Sequence, residues 1–133
     1  MANSLTTQIL EDGERNVVVN VVGILDTSDL TAQDILDPTT LLQGVPPANR
    51  LAIMKVEFAI EGTLSLRLLF DATADVVALT MNGFNKLNFE NVGGIPNNAG
   101  AGVTGKIQLT TEGWSAAAVL HFTFKLKCKK YTV

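Results

Sequence analysis

A chain of 133 residues is one domain's worth, long enough to bury a single core. A hydrophobic fraction of 47% and a mean hydropathy of +0.26 exclude disorder as the default state. A net charge of -3, with a pI of about 5.0, argues against general nucleic-acid binding, which normally presents a basic patch.

No apolar run reaches the roughly 20 residues of a membrane helix. The opening "MANSLTTQILEDGERN" has no basic stretch leading into an apolar one, so no signal peptide is expected. Cys128 is the only cysteine, so no intramolecular disulfide can form, and the chain suits a reducing compartment.

In chain order the sequence reads as strands nearly throughout. "SLTTQIL" (Ser4 to Leu10) is a weak strand, or else residues 1–14 form an extended arm. "NVVVNVV" (Asn16 to Val22) is β-branched and alternating, with Val17, Val19 and Val21 on one face. The connection from Asp26 to Arg50 is long. Within it Thr31 could cap a short helix over "AQDIL", while Pro38, Pro46 and Pro47 keep the rest extended or turned. In "MKVEFAIE", Met54, Val56, Phe58 and Ile60 should face a core. In "LSLRLLFD" the inward set is Leu64, Leu66, Leu68 and Phe70, and the two runs together suggest a hairpin about Gly62.

"DVVALTM" (Asp75 to Met81) is a further strand, and Asn82-Gly83 is a tight-turn signal. "NKLNFEN" follows with Leu87 and Phe89 inward, then "KIQLTT" with Ile107 and Leu109 on one face. The last strand is the longest. Leu120, Phe122, Phe124, Leu126 and Cys128 line one side; His121, Thr123, Lys125, Lys127 and Lys129 line the other. The sum is an all-β chain of about eight strands with at most one short helix in the 26–50 connection. That is the pattern of one antiparallel β-sandwich or jelly-roll domain over residues 1–133.

Chemistry-bearing motifs are weak. "AGAGVTGKIQLTT" (Ala99 to Thr111) spells G-x-G-x-x-G through Gly100, Gly102 and Gly105, and most of a phosphate loop ending in Lys106. A phosphate cradle needs a helix after the glycines, and here a strand-like run follows. Ile107 also stands where a Mg²⁺-binding hydroxyl belongs, so a Gly/Asn-rich connecting loop is the expectation. Asp26, Asp29, Asp34 and Asp37 cluster without calcium-loop spacing and read as turn-forming acids. His121 is the lone histidine, with no metal-ligand or catalytic-triad spacing around it. Cys128 reads as a buried thiol. No catalytic, cofactor-binding or metal residue is assigned, no small-molecule substrate is expected, and the chain is not expected to be an enzyme.

Contact surfaces are better candidates. Lys125, Lys127 and Lys129 project from one strand face. They either protect an edge strand from aggregation or form a docking surface for an acidic partner. Trp114 either plugs one end of the sandwich or sits at a contact. Leu5, Ile9 and Leu10 in the N-terminal segment, Leu41, Leu42 and Val45 in the long connection, and Asn97 and Asn98 in the glycine-rich loop complete the candidate interface.

Three segments carry a resemblance. "ILDTSDL" (Ile24 to Leu30), "LLFDATADVVAL" (Leu68 to Leu79) and "NFENVGGIPNNAGAGVTGKIQLTTEGW" (Asn88 to Trp114) resemble, in order and spacing, a family of small virion proteins of tailed bacteriophages. The pattern runs from about Val17 to Phe124. In size and all-β pattern the chain is similar to jelly-roll capsid cement (decoration) proteins. The resemblance implies a structural protein made in the host cytoplasm that binds the outer surface of the head. Its implied partners are the major capsid protein and itself, as a dimer or trimer, with no nucleic acid or membrane. The alternative in the same setting is a receptor- or glycan-binding jelly-roll module of a fibre or baseplate.

Overall fold

A computed structural model describes residues 3–42, 47–115 and 119–132. Among these residues nine strands form: β1 (Ser4–Asp12), β2 (Asn16–Leu25), β3 (Gln33–Leu36), β4 (Arg50–Ile60), β5 (Ser65–Phe70), β6 (Val76–Asn82), β7 (Phe84–Asn88), β8 (Ile107–Glu112) and β9 (Leu120–Tyr131). They make a five-stranded sheet, β1-β2-β9-β4-β7, and a four-stranded sheet, β3-β8-β5-β6. Every pairing between these strands is antiparallel.

The pairing has a simple logic. β2 pairs with β9, β3 with β8, β4 with β7 and β5 with β6. The chain from β2 to β9 is thus one long antiparallel ribbon folded back at β5–β6. Successive pairs of the ribbon enter alternate sheets, which rolls it into a jelly roll. β1 adds a fifth strand at the β2 edge.

Alternation drives the layers together. Val17, Val19 and Val21 of β2, Val56 of β4, Leu66 and Leu68 of β5, Ile107 and Leu109 of β8, and Phe122, Phe124, Leu126 and Cys128 of β9 are all buried in one core. The expected inward sets of β5 and β8 therefore hold, as does that of β9, whose end residue Leu120 is half-buried. β4 differs in one place. A bulge between Ile53 and Lys55 shifts the register, so Ile53 is buried and Met54 is only half-buried.

Three further expectations are corrected. Of the two readings of the N-terminal segment the strand holds, and residues 3–14 form no arm: β1 pairs with β2 from Ser4 to Asp12, and the Asn3 side chain is bonded to Ser28 and to the Asp26 and Thr27 amides. No helix forms over "AQDIL". A five-residue helix cannot recover its nucleation cost, whereas the edge of β8 offers backbone partners and burial for Ile35 and Leu36. One 3₁₀ turn, Pro38–Thr40, is capped by Asp37 accepting from the Thr39 amide at 3.0 Å. β4 and β5 are not a hairpin, because the chain changes sheets at Gly62. It changes sheets again at Asn82-Gly83, where Gly83 takes a φ of 69° and its carbonyl accepts from the Ile60 amide at 2.6 Å.

Two side-chain arrangements hold the layers in place. Gly23 lies opposite Phe122, whose ring crosses the glycine: a Cβ there would sit 2.1 Å from the ring. The same ring stacks on Phe124 with centroids 6.3 Å apart. At the far end of β9, Lys130 shares the inward parity of Cys128 and is only 6% exposed. Its ammonium binds the Asp12 carboxylate and donates to the carbonyls of Gly13 (2.6 Å) and Leu42 (2.8 Å). Three separate segments thereby meet on one cation, all of its donors used. Partial burial works to raise the Asp12 pKa. The Lys130 bond, the Leu42 amide bond and the lysine charge outweigh it and hold Asp12 below its ordinary value.

Gly23→Ala should destabilise the protein by about 1–3 kcal/mol, because the buried Phe122 ring has nowhere to move. Urea denaturation checks this. Lys130→Met should cost roughly 2–3 kcal/mol, less than a fully buried pair would, because Asp12 keeps some water contact. A carboxylate with a lowered folded pKa stabilises above its unfolded value, and that contribution fades as pH falls through the folded one. The gap between wild type and Lys130→Met in urea should therefore narrow below about pH 4.

Candidate functional site

The glycine stretch is structural. Strand β8 begins at Ile107 directly after it, and Lys106 pairs with Asp34 at 3.4 Å. Gly102 and Gly105 take φ of 78° and 85°. A Cβ on Gly102 would meet Thr73 at 2.1 Å, and one on Gly105 would meet the Asn49 carbonyl at 2.2 Å. These glycines let the loop lie directly on neighbouring backbone. Bonds from the Thr73 amide to Ala101, the Thr104 amide to Asp71 and the Ile95 amide to Ile53 fasten it down.

The acids of the long connection have local partners. Asp29 accepts from the Thr111 hydroxyl at 3.0 Å and the Trp114 amide at 3.2 Å. Asp34 accepts from the Gln108 side chain at 2.7 Å, and Asp37 caps the 3₁₀ turn. Among the described residues, no three His, Cys, Asp or Glu side chains gather in a way that could hold a metal ion. His121 bonds Glu61 at 2.9 Å through Nδ1, and both stand largely in water. That bond, with a second from the His121 amide, lowers the Glu61 pKa. Burial pushes the Cys128 thiol far up, away from the reactive thiolate.

The candidate interface residues divide. Leu41 is buried in the core and cannot meet a partner; Leu5 is half-buried against the same core. Trp114 also packs partly on the core. Asn97 is folded into its own loop, its backbone N–H donating to the Tyr131 hydroxyl and its side-chain Oδ1 accepting from the Ala99 amide; Asn98 is exposed. Val45 lies outside the described residues. Ile9, Leu10 and Leu42 do reach solvent, at 45%, 51% and 50% exposure. Leu10 sits at the bulge of β1, and the Leu42 amide binds Asp12 at the end of that strand.

The lysine row is not on an edge. β9 is the central strand of the five-stranded sheet, so edge protection does not explain Lys125, Lys127 and Lys129. Directly opposite residues of antiparallel strands share a face. One outward row across the sheet is therefore Phe84, Ala59, Thr123, Val22 and Thr6. The next is Lys86, Glu57, Lys125, Asn20 and Gln8, and the third is Asn88, Lys55, Lys127, Val18 and Glu11. Lys129 follows beyond them. Only Lys106 and Lys130 among the lysines lie off this face.

Glutamates partly offset the charge. Glu57 lies 3.5 Å from Lys86 and 3.6 Å from Lys125, and Glu90 lies 3.0 Å from Lys127. The Lys127 bond lowers the Glu90 pKa. Lys129 has no ion pair among the described residues. Counted with Glu11, Glu57 and Glu90, the five lysines Lys55, Lys86, Lys125, Lys127 and Lys129 leave this face with a small positive excess on a chain that is negative overall.

Phe84 is the residue the sequence reading passed over. It is 87% exposed, at the start of edge strand β7. It borders a shallow depression of about 540 Å³ with Asn20, Glu57, Ala59, Asn85, Lys86, Thr123 and Lys125. The signal was present: Leu87 points inward, so Phe84, three residues earlier, falls on the outward parity with Lys86.

If the glycines are structural, Gly105→Ala should cost roughly 1–3 kcal/mol through its positive φ and the Asn49 contact. Gly100→Ala, with open space around it, should stay within about 0.5 kcal/mol of wild type. Paired thermal melts separate the two.

Comparison with known protein families, with curated proteins and with solved structures finds no match to this chain.

Proposed function

We propose that this is a non-catalytic structural virion protein, a capsid cement that binds the outside of a tailed-phage head and bridges major-capsid-protein subunits. The observation that carries this reading is the placement of two exposed apolar anchors on one rigid sheet. Ile9 and Leu10 stand on β1, with Leu42 tied to that strand's end, and Phe84 stands on β7. Those strands are the two opposite edges of the five-stranded sheet. Four strand spacings separate them, about 19 Å at ~4.8 Å each. A bridging protein needs two contact surfaces held at a fixed distance, and a hydrogen-bonded sheet supplies that distance without a linker. Jelly rolls recur in viral capsid and lectin domains, an analogy of fold that favours neither role by itself.

One observation favours the second reading, a glycan-binding module of a fibre or baseplate. An exposed aromatic ring beside Asn20, Asn85 and Glu57 is the kind of surface on which a sugar stacks and hydrogen-bonds. The bridging reading is preferred because, among the described residues, Phe84 is the only aromatic ring among the large exposed apolar side chains.

Purified protein added to undecorated heads should bind them and raise the temperature at which they rupture. Heads that stay bare and no more heat-resistant would end the cement reading. A specific hit on a glycan array would put the second reading first.

A further inference from the structure

We infer that the outer face of the five-stranded sheet docks an acidic protein surface, with Phe84 as the apolar anchor and Lys86, Lys125, Lys127 and Lys129 as the steering charges. This names the partner chemistry of one of the two anchors above and rests on the bridging reading.

The charge layout carries the choice of partner. Five of the seven lysines lie on this face, among Glu11, Glu57 and Glu90, while Asp29, Asp34, Asp37, Asp71 and Glu112 lie on the other sheet and the connections beside it, with only Arg67 and Lys106 among them. Such segregation orients an incoming acidic surface toward one side of the molecule and speeds its encounter. The lysines extend over two cross-strand rows and on to Lys129, well past the depression beside Phe84, which suits an extended surface better than a single sugar. Polyphosphate suits it less. Glu57 stands between Lys86 and Lys125, and Glu90 lies against Lys127, so a phosphate backbone would meet carboxylates along its track. A protein surface can place its own side chains between them.

Phe84 supplies what charge alone lacks. A ring exposed at 87%, next to Ala59 and in line with the half-exposed Val22, removes apolar area from water only when something covers it. Exposed aromatics ringed by polar groups are the usual anchors of protein contacts. Here the ring stands at the rim of the charged rows, so steering and anchoring act on the same approach.

The test compares wild type with Phe84→Ser, with Lys125→Glu/Lys127→Glu, and with Val77→Ser on the opposite sheet as control. Each is first checked for an unchanged melt. Binding to undecorated heads is measured at low and high salt. Wild-type affinity should fall at least tenfold with salt, each face variant should lose at least tenfold at low salt, and Val77→Ser should match wild type. Face variants that bind as wild type does would overturn the docking face and leave the cement reading standing.

If wild type leaves the heads bare, the cement reading falls separately. The face is then judged by anisotropy with a labelled Glu/Leu peptide. Binding by wild type that both face variants lose supports the proposal; no binding overturns it. Tighter binding of a labelled DNA duplex, a glycan-array hit lost in Phe84→Ser, or self-association abolished by that substitution would each overturn it in favour of a different occupant.

Discussion

The whole molecule hangs on the two-sided pairing of β9. This strand is bonded along its length to β2 on one side and β4 on the other, and its side chains must alternate between the two faces of the sheet. Phe122, Phe124, Leu126 and Cys128 fill the core, so Lys125, Lys127 and Lys129 have no choice of side. A slip of one residue would drive those charges inward and lift the core row into water. The Phe122 ring lying across Gly23 admits only one register, since a β-carbon on any other residue at that point would strike the ring. The charged outer face is thus a geometric consequence of how the core is packed.

The ends of the roll are closed by polar bonds. At one end Lys130 gathers β1, the long connection and β9, and the Asn49 amide bonds the Tyr131 carbonyl. The glycine-rich loop lies over that end, with Gly105 against Asn49 and Asn97 bonded to the Tyr131 hydroxyl. At the other end Asp29 ties Trp114 and Thr111 together, and Gly113 packs on Thr63. A rolled ribbon leaves its connections crossing open ends, where buried backbone groups need partners. The carboxylates and glycines of the sequence are spent there, which accounts for residues that look like fragments of ion or phosphate sites.

What was legible in the sequence follows from range. Alternation is a local signal, and it placed the inward rows of β5, β8 and β9 and the valines of β2. It could not say which strands pair. Asn82-Gly83 and Glu61-Gly62 look like hairpin turns, and the chain does reverse at both, yet each carries it from one sheet to the other. That outcome depends on β7 and β4 meeting across the fold. The same limit hid the centrality of β9: lysines on an edge strand and lysines on a central strand have the same spelling. Ile35 and Leu36 became a strand because β8, some seventy residues away, offered an edge. At the candidate site, Ile9, Leu10 and Leu42 were visible as apolar residues in polar surroundings. Leu41 was not separable from Leu42, since burial there depends on the facing sheet. Phe84 and Lys130 needed only a parity count from Leu87 and Cys128.

Under the bridging reading, the positions of the anchors also decide how the molecule bears load. Tension between β1 and β7 runs across the strands and falls on the backbone hydrogen bonds. The β2–β9 and β4–β9 ladders are the long ones, while the β4–β7 ladder spans only Lys55 to Ala59. The weak joint is therefore the one beside Phe84. It is reinforced at both ends: the Ile60 amide bonds Gly83 just before β7, and the Phe89 amide bonds Met54 just after it. The β1 side is backed differently, by the Lys130 cation that joins Asp12 and Gly13 to β9. A sheet strapped at both edges moves as one piece, which is the property that two anchors need if a pull on one is to be felt at the other.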